Sequence, residues 1–126
     1  MVRALYLRYA EHSRTDPELA HAMYHPDAVL EFPQSGERFE GVENMRAWRQ
    51  EYPAEVEFEI PRVRGRDDLW VLEVRASYDG GPWAFGVAVV EFRDGLIARE
   101  TIYYGVAWEP PEWRAQWRAA PPRAGA

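Results

Sequence analysis

The sequence predicts an α+β fold: three N-terminal helices packed on a curved, mostly antiparallel β-sheet that together form a cone-shaped pocket. Two patterns carry this prediction. Up to about residue 52 apolar side chains recur at helical spacing, and beyond it they alternate with polar ones in runs separated by turn residues. A third observation is the Asp94-Gly95 pair between two such runs, a hairpin signal that sets which residues face one another.

Val2, Leu5, Tyr6 and Tyr9 fall on one helical stripe, which fades at His12-Ser13-Arg14. Asp16-Pro17 opens a second helix, an acid at the cap followed by Pro at the first helical position, with Leu19, Ala20, Met23 and Tyr24 as its stripe and His25-Pro26 as its end. A short strand covers Ala28 to Pro33, Gln34-Ser35-Gly36 turns the chain, and Val42, Met45, Trp48 and Tyr52 space a third helix. Val56, Phe58 and Ile60 then alternate with Glu55, Glu57 and Glu59, and Pro61 marks a bulge or an edge. Long strands follow from Leu69 to Tyr78, Trp83 to Arg93 and Leu96 to about Val106. Pro110-Pro111-Glu112 opens a terminal helical turn carrying Trp113 and Trp117. Residues 1–118 read as one domain, and the Pro/Ala/Gly-rich residues 119–126 as a tail.

Composition narrows the chemistry. With 126 residues, 47% hydrophobic and 14% aromatic, the chain can bury a sizeable core around a single site. A net charge of -6 argues against nucleic acid as the main partner. Cysteine is absent, which removes thiol nucleophiles and thiolate metal sites, and every basic residue is Arg, which removes lysine Schiff bases. No apolar run approaches a membrane span and the N-terminus lacks a signal-peptide pattern, so a cytoplasmic location is expected.

A two-residue turn at Asp94-Gly95 would set Val89 opposite Glu100, Val87 opposite Ile102 and Phe85 opposite Tyr104. A four-residue turn at 79–82 would add Leu72, Val74, Ala76, Tyr78 and Trp83 to that face. Glu100 is then the single carboxylate among apolar side chains. Low dielectric disfavours the charged form of such a group, the setting general acid–base chemistry uses. The alternative is that Glu100 pairs with Arg49 or Arg46 and only orders the core. The expected outer face carries the small residues Ala84, Gly86 and Ala88 between opposite charges, a surface that a second copy could approach closely.

The stretches Asp16-Pro17-Glu18-Leu19, Tyr24 to Pro33, Gly41 to Trp48 and Phe92 to Thr101, on three helices against a long-stranded sheet, resemble the nuclear transport factor 2-like superfamily, in particular its SnoaL-like branch. The resemblance covers nearly the whole chain and specifies fold more than reaction. It implies polyketide cyclase, ketosteroid isomerase, epoxide hydrolase or dehydratase chemistry, or a non-catalytic assembly role. Tyr9 matches the oxyanion tyrosine of the ketosteroid isomerases, whereas their Asp base falls at Phe32 and their second acid near Val89. In the SnoaL-like cyclases an acid stands near Ile102, two residues beyond Glu100.

The expected site therefore has Glu100, Tyr9 and Tyr104 as catalytic residues, with Trp48, Val74, Trp83, Phe85, Val87, Val89, Ile102 and Phe32 lining an apolar pocket that Trp108 and Trp113 could help to close. Tyr24 and Tyr78 are expected to pack in the core. His12, His21 and His25 lack a metal-ligand pattern, and neither metal nor cofactor is expected. The expected partners are a small hydrophobic molecule and a second copy of the chain. Cofactor-independent cyclisation, isomerisation or hydration is the first expectation, and ligand binding without turnover or an assembly role is the alternative.

Overall fold

Short turns connect most of the sheet. The computed structural model describes residues 21–120, with strands β1 (Tyr24–Phe32), β2 (Glu37–Glu40), β3 (Val56–Arg66), β4 (Leu69–Tyr78), β5 (Trp83–Arg93) and β6 (Leu96–Val106). Asp94 and Gly95 both adopt positive φ, 53° and 80°, so the β5–β6 hairpin closes in two residues with Arg93 paired to Leu96. Asp67, at φ 53°, helps Asp68 do the same between β3 and β4. The six strands form one curved sheet in the order β2-β1-β6-β5-β4-β3, antiparallel except where β1 runs parallel to β6.

The described residues hold one α-helix, α1 (Val42–Gln50), and one 3-10 helix, Glu112–Trp117, rather than three N-terminal helices. The first expected helix and most of the second fall on residues 1–20, outside the described residues. The end of the second is corrected: Tyr24 begins β1 instead of closing a helix, and β1 carries a register shift between Tyr24 and Val29 that takes up His25-Pro26. Helix α1 places an acid, Glu43, in its first turn and Arg49 in its last, both favourable to the helix dipole. Its Val42 and Met45 are buried against Leu30, Leu72, Val90, Phe92 and Ile97 of the inner sheet face. No described helix is long and apolar enough to cross a membrane.

The expected register is corrected by one residue. Phe92 pairs with Ile97, but Glu91 pairs with Arg99, so Ala98 is an extra residue in β6 and forms a bulge just after the hairpin. Beyond it Val90 faces Glu100, Ala88 faces Ile102 and Gly86 faces Tyr104. The β4–β5 loop is also one residue longer than expected, because Ser77 rather than Tyr78 pairs with Trp83. Side chains alternate along a strand, so these shifts turn β5 over. Ala84, Gly86, Ala88 and Val90 share the inner face with Leu72, Val74, Glu100 and Ile102, while Trp83, Phe85, Val87 and Val89 lie on the outer one. The β3 edge strand also carries a register shift, between Glu59 and Arg62, at Pro61.

Candidate functional site

The inner face of the central strands is built from small and aliphatic side chains, Val74, Ala88, Val90 and Ile102, with one acid among them. Glu100 is only 2% exposed, and the Tyr24 hydroxyl, itself buried, donates a hydrogen bond to its Oε2. The bulge at Ala98 is what brings the two together: Ile97 points inward, and without the extra residue strict alternation would send Glu100 to the outer face. Parallel pairing of β1 with β6 sets Tyr24 against Ile97, three residues from the acid.

Cationic and aromatic groups surround this pair. The Arg49 guanidinium, from the last turn of α1, lies 5.6 Å from the Tyr24 ring centroid and 5.5 Å from that of Trp48. Its Nη1 donates to Nε2 of the buried His21 over 3.2 Å, which requires the His21 proton to sit on Nδ1. Trp48 packs edge-on to Phe32 at 6.2 Å and against Phe39 at 5.3 Å. Its indole N–H is buried without a hydrogen-bond partner, a donor that costs free energy until an acceptor reaches it. Beyond Trp48, Tyr52 stacks on Tyr78 at 6.2 Å, and burial, reinforced by the Tyr52 hydroxyl, raises the Tyr78 phenol above its ordinary value.

Tyr104 shares the inner face with Glu100 but stands four residues along β6, roughly 13 Å away. A Cβ at Gly86 would come within 2.6 Å of the Tyr104 ring, so the absent side chain is what lets that ring lie across β5. Tyr9 lies outside the described residues. Phe32, Trp48, Val74 and Ile102 are on the Glu100 side, whereas the expected lining residues Trp83, Phe85, Val87 and Val89 are not, for the register reason given above. Trp108 and Trp113 do not close the inner face either: each is about three-quarters exposed. Tyr24 packs in the core as expected, and its hydroxyl bond to Glu100 is the contact that sequence reasoning missed. Among the described residues no group of His, Asp or Glu has a metal-binding arrangement, and His25 is engaged at the surface with the Arg93 carbonyl.

The profile of the SnoaL-like domain matches residues 2–100. The chain belongs to the SnoaL-like family. Among solved structures, this SnoaL-like chain is similar to an NTF2-like protein of unknown function from Burkholderia xenovorans LB400, with 35% identity, a TM-score of 0.87, and coverage of 96% of this chain and 95% of the other. It is also similar to a candidate ketosteroid isomerase from Kribbella flavida DSM 17836, at 27% identity and TM-score 0.86 over 98% of this chain and 91% of that one. A candidate polyketide cyclase from Sinorhizobium meliloti shares the fold at 22% identity and TM-score 0.68, covering 79% and 93% of the two chains. A search of curated proteins gives no match.

Proposed function

We propose that this SnoaL-like protein binds a small hydrophobic, carbonyl-bearing molecule in a cone-shaped pocket over the inner sheet face and turns it over by cofactor-independent acid–base catalysis. The observation that carries the reading is the buried Glu100 carboxyl, held by Tyr24 on an otherwise apolar face. In this reaction Glu100 removes a proton from carbon next to the carbonyl and returns it at a second position, so the ligand is isomerised or cyclised with no net gain of atoms. Tyr24 is a positioning residue that fixes the carboxyl. Tyr9 and Tyr104 are the candidate donors to the developing oxyanion, and the free indole N–H of Trp48 offers a third. The likeness to a candidate ketosteroid isomerase supports this class of chemistry, although the resemblance drawn from the sequence implies Phe32 at the position of the isomerases' Asp base.

The test is Glu100→Gln, assayed on a panel of steroid enones and aromatic polyketide-like ketones. Turnover of any accepted compound should fall by about a hundred-fold or more while its affinity changes little. Undiminished turnover overturns the assignment. A second reading, ligand binding without turnover, is favoured by one feature: the Glu100 carboxyl already has a hydrogen-bond partner inside the protein. It predicts panel compounds that bind and emerge unchanged.

The same reading includes a homodimer. Phe85 is 49% exposed on the outer sheet face, beside Val87, Val89 and Tyr103, and a second copy is the occupant we assign to that apolar surface.

A further inference from the structure

The segment after β6 leaves the sheet and carries three tryptophans into solvent. Trp108, Trp113 and Trp117 are 76%, 73% and 72% exposed, and the 3-10 helix that holds the last two packs extensively on none of the described elements. Its shape is nevertheless defined. Pro110-Pro111 limits the backbone ahead of Glu112–Trp117, and Arg118 closes the turn through its N–H to the Ala115 carbonyl. Such a stiff arm loses little entropy on docking.

A receiving surface lies where the arm begins. On the outer side of the sheet an open groove of about 690 Å³ is bordered by Arg75, Phe85, Val87, Tyr103, Val106 and Trp108. Arg75 lies over the Trp83 and Phe85 rings, at 4.9 and 5.8 Å, so this surface already seats a cation on aromatic faces. The arm brings three indoles to this aromatic groove, whose Arg75 guanidinium is already paired with Glu59 at 3.2 Å.

Area decides the occupant. The three indoles expose roughly 450 Å² between them on the usual size of a tryptophan side chain. With Val106, Phe85 and Tyr103 the total approaches the ~800 Å² that each partner buries in a stable interface, more than the ~300–600 Å² of the largest apolar patch on an ordinary monomer. Arm and groove lie on the same chain, so a two-fold pair uses both twice, and the contact closes instead of propagating.

We infer that each protomer lays its Trp108–Trp117 arm into the outer groove of a second copy, so that two exchanged arms clamp the dimer. The inference rests on the homodimer proposed above. Its test compares the association of the full chain with that of two variants, by analytical ultracentrifugation. One is Trp113→Ala/Trp117→Ala, which removes the two indoles of the 3-10 helix and leaves Trp108 in place at the groove edge. The other is Phe85→Arg, which obstructs the groove. Both substituted surfaces are exposed, so the far-ultraviolet circular dichroism should be unchanged.

Each variant alone should dimerise at least about ten-fold more weakly than the full chain. An equimolar mixture should form heterodimers more tightly than the Phe85→Arg chain pairs with itself, because one intact arm then meets one intact groove. A full chain that dimerises while the arm variant does so equally well overturns the exchanged arm and leaves the dimer standing. Weakened variants whose mixture gains nothing show that the arm acts on its own chain, which also overturns the exchange. A full chain that stays monomeric overturns both.

Discussion

At the scale of single residues the Tyr24–Glu100 hydrogen bond is the feature with the most at stake, because both groups are buried. Tyr24→Phe keeps the ring in place and removes only the donor, which should cost about 1–3 kcal/mol in urea denaturation. Glu100→Gln alone should also destabilise, and the double variant should lose less than the sum of the two, since both single changes weaken the same hydrogen bond. Additive losses would show that the contact carries no energy of its own. The acid was legible in the sequence because one carboxylate among alternating apolar residues stands out. Tyr24 was not, because its partner lies 76 positions away and is reached only through the parallel β1–β6 pairing. A tyrosine beside Met23 on an apparent helical stripe gives no sign of that. Trp48, by contrast, could be read from its helical spacing and does sit beside Phe32 and Phe39 in the structure.

At the scale of elements the free edge of β6 needs a partner where β1 leaves it. Beyond Thr101 the β1 ladder ends, and the Gln34 side chain takes over: its Oε1 accepts the Tyr104 N–H at 2.6 Å and its Nε2 donates to the Tyr104 carbonyl. The amide thus imitates one residue of a neighbouring strand. Gln34→Ala should cost about 1–2 kcal/mol and speed hydrogen exchange at the Tyr104 amide. Gln34→Glu should cost at least as much, because it keeps the acceptor but sets a second oxygen against the Tyr104 carbonyl. Exchange unaltered in both variants would remove the clamp from the account. Turn chemistry made the β5–β6 hairpin legible, since Asp94-Gly95 can supply the two positive φ angles it needs. The bulge at Ala98 was not legible, because nothing in Ile97-Ala98-Arg99 differs from a regular strand. That extra residue, together with the one added to the β4–β5 loop, reversed the expected face of β5, while Glu100 stayed inside on the bulged strand itself.

At the scale of the whole molecule the reversal of β5 changes the reason for expecting a partner. The small residues Ala84, Gly86 and Ala88 line the inner face, where Gly86 admits the Tyr104 ring, and the bulky Trp83, Phe85, Val87 and Val89 face outward. The charges on that outer side are largely neutralised within the chain: Glu73 bridges Arg62 and Arg64 at 3.5 and 3.0 Å, and Arg75 bridges Glu59 at 3.2 Å. An interface formed there is driven by apolar burial instead of charge pairing between copies. Each copy also carries a net charge of -6, so two copies repel over distances comparable to the ~10 Å screening length of 0.1 M salt. Raising the ionic strength should therefore strengthen the dimer modestly, whereas an interface held by ion pairs between protomers would weaken. Sedimentation equilibrium across a series of salt concentrations separates the two outcomes, and calorimetric dilution should give a negative heat-capacity change on association. A dimer that dissociates as salt rises would mean that the apolar outer face is not what holds the copies together.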